Sequence, residues 1–357
     1  MKVLLLGEYS GVHKNLKEGL TYLGHDVIVA SSGDGFRNIE RDIDLTKNKN
    51  LGVFKDIHYF SKLIALSQRI RNYDVVQLMH PGIFPIKYKI NYRILKHLKK
   101  NNHKIFMLGA GGTQLNSKLA DFYKKYFKYK EIYRAINPEN KELWSEGIEG
   151  RKFNNFLLDI LDGYIPLMYE YAEPYRREKY DKLKPTIPIP INLEKITYTD
   201  NIIQNKLNIF HGKSRADKGT PLIEKVLNKL QQKYPNEINV MMVGGLPYNE
   251  YLKVLDSANV VIDQLYSASY GVNAIINMAK GKIVMGGGEK ECIQEFGLTS
   301  SPMIPLEPTE ESIEKAVFHL IENRKNIIEM GMESRKYVED IHDHIKVAKK
   351  YVDVWQQ

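Results

Sequence analysis

The chain has 357 residues, a length that favours two domains over one. Hydrophobic residues make up 43% and charged residues 27%, enough apolar material for two cores, and the single cysteine, Cys292, excludes an intramolecular disulfide. Net charge is +9, and no apolar run approaches the roughly 20 residues that span a bilayer, so the expectation is a soluble, cytoplasmic protein.

In chain order, KVLLL (2–6) reads as a buried strand stopped by Gly7 and Glu8. The turn behind it carries Gly11 and His13 and lacks G-x-G-x-x-G, which disfavours a dinucleotide. A helical pattern at 12–23, a strand at 26–30 and a helical pattern at 55–71 follow. Strand 74–79 runs into His80 of QLMHPG, and helical 85–101 leads to strand 104–108. The turn after that strand is GAGGTQ, with Gly111, Gly112, Thr113 and Gln114, and a further strand is expected at 163–168.

KLKPTIPIPINLE comes next, with Pro185, Pro188 and Pro190. Proline has no N–H to continue a helix or a central strand, so this segment reads as a linker. Beyond it, strands at 207–210, 238–243, 259–265 and 282–286 alternate with helical 221–234, 248–257 and 271–280, and 309–357 is almost wholly helical in pattern. Alternation of this kind implies βαβ units and parallel sheets. The expected architecture is α/β, with two doubly wound Rossmann-like domains facing a central cleft. The domains are placed at 1–189 and 190–335, with a C-terminal helix at 336–357 packing back on the first.

Charge is uneven along the chain. Residues 1–190 hold 32 Lys+Arg against 21 Asp+Glu, whereas 191–357 hold 20 against 22. The excess concentrates in 87–134, where 13 Lys+Arg face only Asp121 and Glu131, with aromatic residues interleaved. A surface for anionic lipid, or for a lipid-linked acidic acceptor, is one reading of that stretch, with the protein cytoplasmic and peripheral at the inner face of the plasma membrane. A solvated helix face is the alternative reading. Nucleic acid is not expected, since no recognition motif accompanies the charge.

Two stretches carry candidate chemistry. In LNIFHGKSRADKGT (207–220), Lys213, Arg215 and Lys218 crowd the turn between a buried strand and a helix. Helix N-termini already carry partial positive charge, so three cations there imply an anion. In LYSASYGVNAIINMAKGK (265–282), a helix that is apolar nearly all round shows Asn273 and Asn277 on one face. Buried carboxamides need partners, and sugar hydroxyls suit them. The alternative is that this stripe is the wet face. KIVMGGGEKE then ends a strand in glycines that include Gly287 and Gly288, which would let backbone amides approach a ligand.

With SRKYVEDIHDHIKVAKKYVDVW (334–355), these stretches resemble the retaining nucleotide-sugar glycosyltransferases of family 4, bacterial surface-glycan enzymes of the GT-B fold. The resemblance implies that Arg215 and Lys218, with Lys213 nearby, hold a donor diphosphate. Where that family has two Glu eight positions apart, this sequence has Ser269 and Asn277. Asn277 then stands at the ribose contact, with Tyr270, Gly271 and Asn273 beside it. The loops bearing His80, Gly11, His13 and Gly111 to Gln114 become the acceptor side, His80 approaching the transferred sugar. The implied reaction is hexosyl transfer from a nucleotide sugar to a glycan or lipid-linked acceptor, with no metal and no other cofactor. A sugar-nucleotide epimerase or hydrolase, or a non-catalytic nucleotide-sugar-binding protein, is the alternative on the same scaffold. The D-x-D at 42–44 and the pair His342 and His344 are set aside as metal ligands, the first for its loop context and the second for a spacing that shares no helix face.

Overall fold

The structure, a computed structural model, describes residues 1–213, 218–246 and 248–357, and Arg215 therefore lies outside the described residues. Its strands are β1 (Lys2–Leu6), β2 (Asp26–Ser31), β3 (Ile43–Asp44), β4 (Val75–Leu78), β5 (Lys104–Gly109), β6 (Gly163–Pro166), β7 (Leu207–Gly212), β8 (Ile238–Val243), β9 (Val260–Ile262) and β10 (Ile283–Met285). The α-helices are α1 (Val12–Tyr22), α2 (Lys55–Arg69), α3 (Ile90–Asn101), α4 (Ser117–Asp121), α5 (Lys130–Ile136), α6 (Ile148–Ile160), α7 (Tyr169–Arg177), α8 (Thr220–Lys233), α9 (Tyr248–Asp256), α10 (Val272–Ala279), α11 (Lys290–Glu295), α12 (Glu310–Glu322), α13 (Ile327–Ile341) and α14 (His344–Gln356). The chain divides into two compact units, one of Met1–Tyr126, Lys141–Asn192 and His344–Gln357, the other of Phe127–Asn140 and Leu193–Asp343.

The first unit is built on a parallel sheet in the order β3-β2-β1-β4-β5-β6. Val3, Leu4, Leu5 and Leu6 are all fully buried in β1. Because successive side chains point to opposite faces, both faces of the sheet must be covered, as parallel sheets require. One face packs Leu4, Leu6, Val76, Leu78, Ile105 and Met107 against Leu95 and Leu98 of α3 and Phe153 and Leu157 of α6. Elsewhere in the unit, α14 lies against α1 at Gly19, where an added Cβ would stand 2.2 Å from the His344 carbonyl oxygen. Trp355 near the end of α14 is buried and donates its indole N–H to Gln77 Oε1 of β4 at 3.2 Å.

The proline-rich segment is not a free linker. Ile187, Ile189 and Ile191 are buried, the Ile187 N–H donates to the Pro166 carbonyl at 3.0 Å, and the Asn192 N–H donates to Asn15 Oδ1 at 3.1 Å. Isoleucines alternating with prolines bury apolar surface beside the sheet where few N–H groups are needed. The first unit therefore runs on to Asn192, and it also contains α14, whereas 127–140 with α5 belongs to the second.

The basic stretch 87–134 also reads differently in three dimensions. Lys99 pairs with Asp162 at 2.7 Å, Lys124 with Glu146 at 2.7 Å, Lys125 with Asp121 at 3.1 Å, and Lys118 with Glu178. Lys104 Nζ donates to the Trp355 carbonyl at 2.7 Å, a cation at a helix C-terminus. Apart from Asp121, which lies inside the stretch, these acids come from other segments, and charge counted along the chain missed them. Among the described residues no helix is long and apolar enough to cross a membrane.

The second unit has a parallel sheet in the order β10-β9-β7-β8. Leu207, Ile209, Val260 and Ile262 form its core with Val226 and Leu230 of α8 and Val317 and Leu320 of α12. In both sheets the chain turns from building outward on one side to building on the other. That reversal falls between β1 and β4 in the first sheet and between β7 and β9 in the second. Loops at the carboxyl ends of such strand pairs form the crevice where open α/β sheets take ligands.

Gly19→Ala is expected to lower the stability of the first unit by about 1–3 kcal/mol, the usual cost of overpacking. Chemical denaturation checks this, and an unchanged midpoint and slope would contradict the close approach of α1 and α14.

Candidate functional site

In the second unit the reversal point is organised by an aspartate. Asp263 follows β9, is buried, and receives on Oδ1 both Lys218 Nζ at 3.2 Å and Asn273 Nδ2 at 3.1 Å. Lys218 arrives from the loop after β7 and Asn273 from the first turn of α10, so one carboxylate joins two strand-end loops. His211 at the end of β7 adds a second tie. Its Nδ1–H donates to the Ile262 carbonyl at 2.9 Å, and its Nε2 accepts the Thr220 hydroxyl at 2.8 Å. Burial holds the His211 imidazole below its ordinary pKa, which keeps the ring neutral and Nε2 an acceptor.

Two helices start at this point with no side-chain cap and no acidic residue in the first turn, α8 behind Gly219 and α10 behind Gly271. Their free amides and dipoles favour an anion. Gly219 has a φ of 76°, and a Cβ there would meet Leu265 at 2.8 Å. Asn277, one turn on from Asn273, is fully buried and donates to the Asn273 carbonyl at 2.8 Å, which fixes its amide orientation. Its Oδ1 is buried without a hydrogen-bond partner. A buried acceptor left unmet costs free energy, and such atoms call for a donor.

Several expected donor contacts are placed otherwise. Tyr270 is buried, its hydroxyl joining Tyr337 at 2.6 Å and His342 Nε2 at 2.9 Å, so it anchors the loop to α13. Ser269 is fully buried and its carbonyl accepts Gln264 Nε2 at 3.0 Å. The glycines after β10 serve packing. A Cβ on Gly286 would lie 2.1 Å from the Gln264 carbonyl oxygen, one on Gly287 2.6 Å from that of Ser269, and one on Gly288 3.0 Å from Met303. Lys213 is engaged by Glu224 at 2.6 Å. A groove of about 520 Å³ lies beside the same loop, but in its lining Glu289, Glu291, Glu307 and Glu311 outnumber Lys290 and Lys315, which makes it unsuited to a diphosphate.

In the first unit the reversal point carries an aromatic stack. Tyr9, after β1, lies on His80, after β4, with ring centroids 4.7 Å apart and planes 14° from parallel. The loop after β5 closes on them, since a Cβ on Gly112 would lie 3.4 Å from His80 Cβ and one on Gly111 3.8 Å from Tyr9 Cε2. Thr113 and Gln114 continue in a short 3₁₀ turn, with Gln114 exposed. His80 Nδ1 accepts the Gly82 N–H at 3.0 Å, which leaves the proton on Nε2. Burial lowers its pKa to about 4.

His13 is not an open acceptor-side residue. It is fully buried, donates from Nδ1 to the Gly7 carbonyl at 2.8 Å, and accepts Gln77 Nε2 at 3.3 Å on Nε2. Burial takes its pKa down to about 3. Gly11 is the residue before α1, with a φ of 85° that only glycine adopts easily. The carboxylate that closes this helix start is Glu8, which accepts the His13 and Lys14 N–H groups at 3.3 and 2.9 Å. Burial outweighs those donors and pushes its pKa up to about 7.

Asp263, Tyr9 and Glu8 escaped the sequence reading. All three end or follow apolar strand runs, and an acid closing VVID was the available signal. Among the described residues no group of three His, Cys, Asp or Glu side chains is arranged to hold a metal.

No family model and no curated protein matches the sequence. Solved structures do match over the whole chain. Sucrose-phosphate synthase from Thermosynechococcus elongatus aligns at a TM-score of 0.65 and 15% identity, covering 100% of this chain and 98% of that one. The HepE protein of Anabaena, in complex with UDP and glucose, aligns at 0.60 and 11%, covering 100% and 99%. UDP-GlcNAc 2-epimerase from Neisseria meningitidis, bound to UDP-GlcNAc, aligns at 0.53 and 14%, covering 99% of each chain. At these identities the likeness shows the fold, and the chain has the GT-B fold.

The histidine environments set a pH dependence. His13 and His80 are held at about 3 and about 4 when folded, below their ordinary 6.5. Unfolded chains take up those protons first, so this stabilisation is present above about pH 6.5 and fades as pH falls, by up to about 1.4 kcal/mol per pH unit for each ring. Glu8, raised to about 7, acts in the opposite sense between its ordinary 4.5 and 7. NMR of the two rings is expected to show no titration between about pH 8 and 5.5. A midpoint near 6.5 for either would contradict the burial described.

Proposed function

We propose that the protein is a glycosyltransferase that moves a sugar from a nucleoside diphosphate to a glycan or lipid-linked acceptor, with retention of anomeric configuration and without a bound metal. The observation that carries this reading is the cluster at the reversal between β7 and β9. One buried carboxylate holds a lysine and an asparagine there, beside two uncapped helix N-termini and a buried acceptor without a partner. Cations and amide dipoles suit the diphosphate, and Asn277 Oδ1 suits a ribose hydroxyl. Retention and the acceptor class are supported by the sequence resemblance alone.

When the bond from the sugar to the diphosphate breaks, negative charge grows on the leaving oxygens. Lys218 and the first-turn amides of α8 and α10 are positioned before that charge develops, so they favour the transition state over the ground state. Arg215 is assigned the same task from the sequence. As phosphate oxygens approach, Lys218 Nζ exchanges part of its contact with Asp263 for them, and Asp263 keeps the donated Asn273 amide. His80, neutral above about pH 4 with its proton on Nε2, would donate a hydrogen bond to a sugar oxygen rather than remove a proton.

A panel of UDP-, GDP- and ADP-sugars, each incubated with and without glycan acceptors, tests the reading. Free diphosphate should accumulate only when acceptor is present. An altered sugar nucleotide from donor alone would favour an epimerase, in line with one of the structural neighbours. Lys218→Ala, verified as folded by circular dichroism, is expected to lower kcat/KM by about 10- to 150-fold, the scale of a lost charge-assisted hydrogen bond. Activity within twofold of wild type would remove Lys218 from the donor site.

A further inference from the structure

Helix α2 in the first unit is apolar on two faces, and only one is used. Leu63 and Ile70 just beyond the helix belong to the core, with Tyr59, Phe60 and Leu66 packed against it. Phe54, just ahead of the helix, and Ile57 and Ile64 within it stand three and then seven residues apart on a second face that also carries Ser61 and Ala65, and this face is exposed. Phe54 is 68% exposed and Ile57 65%. Tyr88, 73% exposed, extends the patch, since its ring meets Phe60 of α2 edge-on at 5.9 Å. Tyr88 and Lys89 both sit in the left-handed region, at φ of 58° and 54°, a costly conformation for non-glycine residues.

The charge around the patch has one sign. Lys55, His58, Lys62 and Arg69 form the stripe beside the apolar one on α2, and Lys87 and Lys89 flank Tyr88. The acid on the same helix, Asp56, is already engaged by Lys47 and by Lys87. Apolar side chains raised from a helix, bordered by long cationic ones and an aromatic with a polar tip, complement a bilayer surface that is anionic outside and apolar a few ångströms below.

We propose that this face of α2, with Tyr88, docks the protein on an anionic lipid surface. The contact is interfacial. Phe54, Ile57 and Tyr88 enter the headgroup boundary while Lys55, Lys62, Lys87 and Lys89 remain at the phosphates. It involves residues outside the donor cluster and stands whether or not the nucleotide-sugar reading does. It keeps Lys87 and Lys89 at the start of 87–134 and leaves out Lys99, Lys118 and Lys124, which Asp162, Glu178 and Glu146 pair.

The full chain is tested by co-sedimentation with vesicles of equal parts phosphatidylglycerol and phosphatidylcholine, and of phosphatidylcholine alone, at low salt. Wild type should pellet with the first and not with the second, and the bound fraction should fall as salt rises. Phe54→Ser/Ile57→Ser/Tyr88→Ser should weaken the partition by about tenfold or more, with the melting curve unchanged. Lys55→Glu/Lys62→Glu should weaken it comparably. Failure of wild type to pellet with anionic vesicles would overturn the proposal, as would pelleting that survives both sets of substitutions. Light scattering supplies the other occupant. A dimer that the apolar variant converts to monomer, with vesicle binding unaltered, would assign the face to a second copy of the chain and also overturn it.

Discussion

The second unit depends on one buried ion pair. Asp263 sits at the end of a central strand with almost no solvent, and a carboxylate there is tenable only with donors at hand. Lys218 and Asn273 supply them, so the loop after β7 and the first turn of α10 are held at one point. Removing either partner would leave a buried charge uncompensated, which costs more than the pair contributes against apolar isosteres. The pair is therefore better understood as fixing positions than as adding stability. It places a cation and two helix N-termini at one reversal point, an arrangement that suits an anion.

The first unit uses the same topological position without an ion pair. Its strand order reverses between β1 and β4, and there the Tyr9–His80 stack replaces the carboxylate and lysine. A neutral, aromatic, hydrogen-bonding surface suits hydroxyl-bearing ligands, whereas the cationic end of the second sheet suits phosphates. The C-terminal helix contributes to the first arrangement from behind. Trp355 donates to Gln77, Gln77 to His13, and His13 to the Gly7 carbonyl, a chain of contacts running from α14 to the loop that carries Tyr9.

Much of the fold was legible because parallel strands buried on both faces read as short apolar runs. KVLLL and NVVI are examples, each followed by a turn and a helical period. What was not legible depended on distant partners. The prolines of 185–190 looked like a linker, yet the isoleucines between them bury beside the first sheet. Lysines of 87–134 looked like a free field of charge until Asp162, Glu146 and Glu178 met them from elsewhere in the chain. Within the candidate site, Lys218, Asn273 and Asn277 stood out as polar residues against apolar surroundings. Asp263 did not, because the acid closing VVID reads as an ordinary strand end until Lys218 and Asn273 meet it from other loops. Tyr270 and His13 carried the opposite ambiguity. Both are polar groups near the right loops, and both turned out to be satisfied inside the core.

Calorimetric titration of UDP, GDP and ADP into the wild-type protein and into Asn277→Ala tests the donor cluster most directly, because it needs neither acceptor nor turnover. One diphosphate is expected to bind wild type with a stoichiometry of about one. Loss of the buried acceptor in Asn277→Ala is expected to weaken that binding by about 1–2 kcal/mol, with Tm held within a few degrees. No binding of any of the three to wild type, or an identical Kd in the variant, would contradict the assignment of this strand-end cluster to a nucleoside diphosphate.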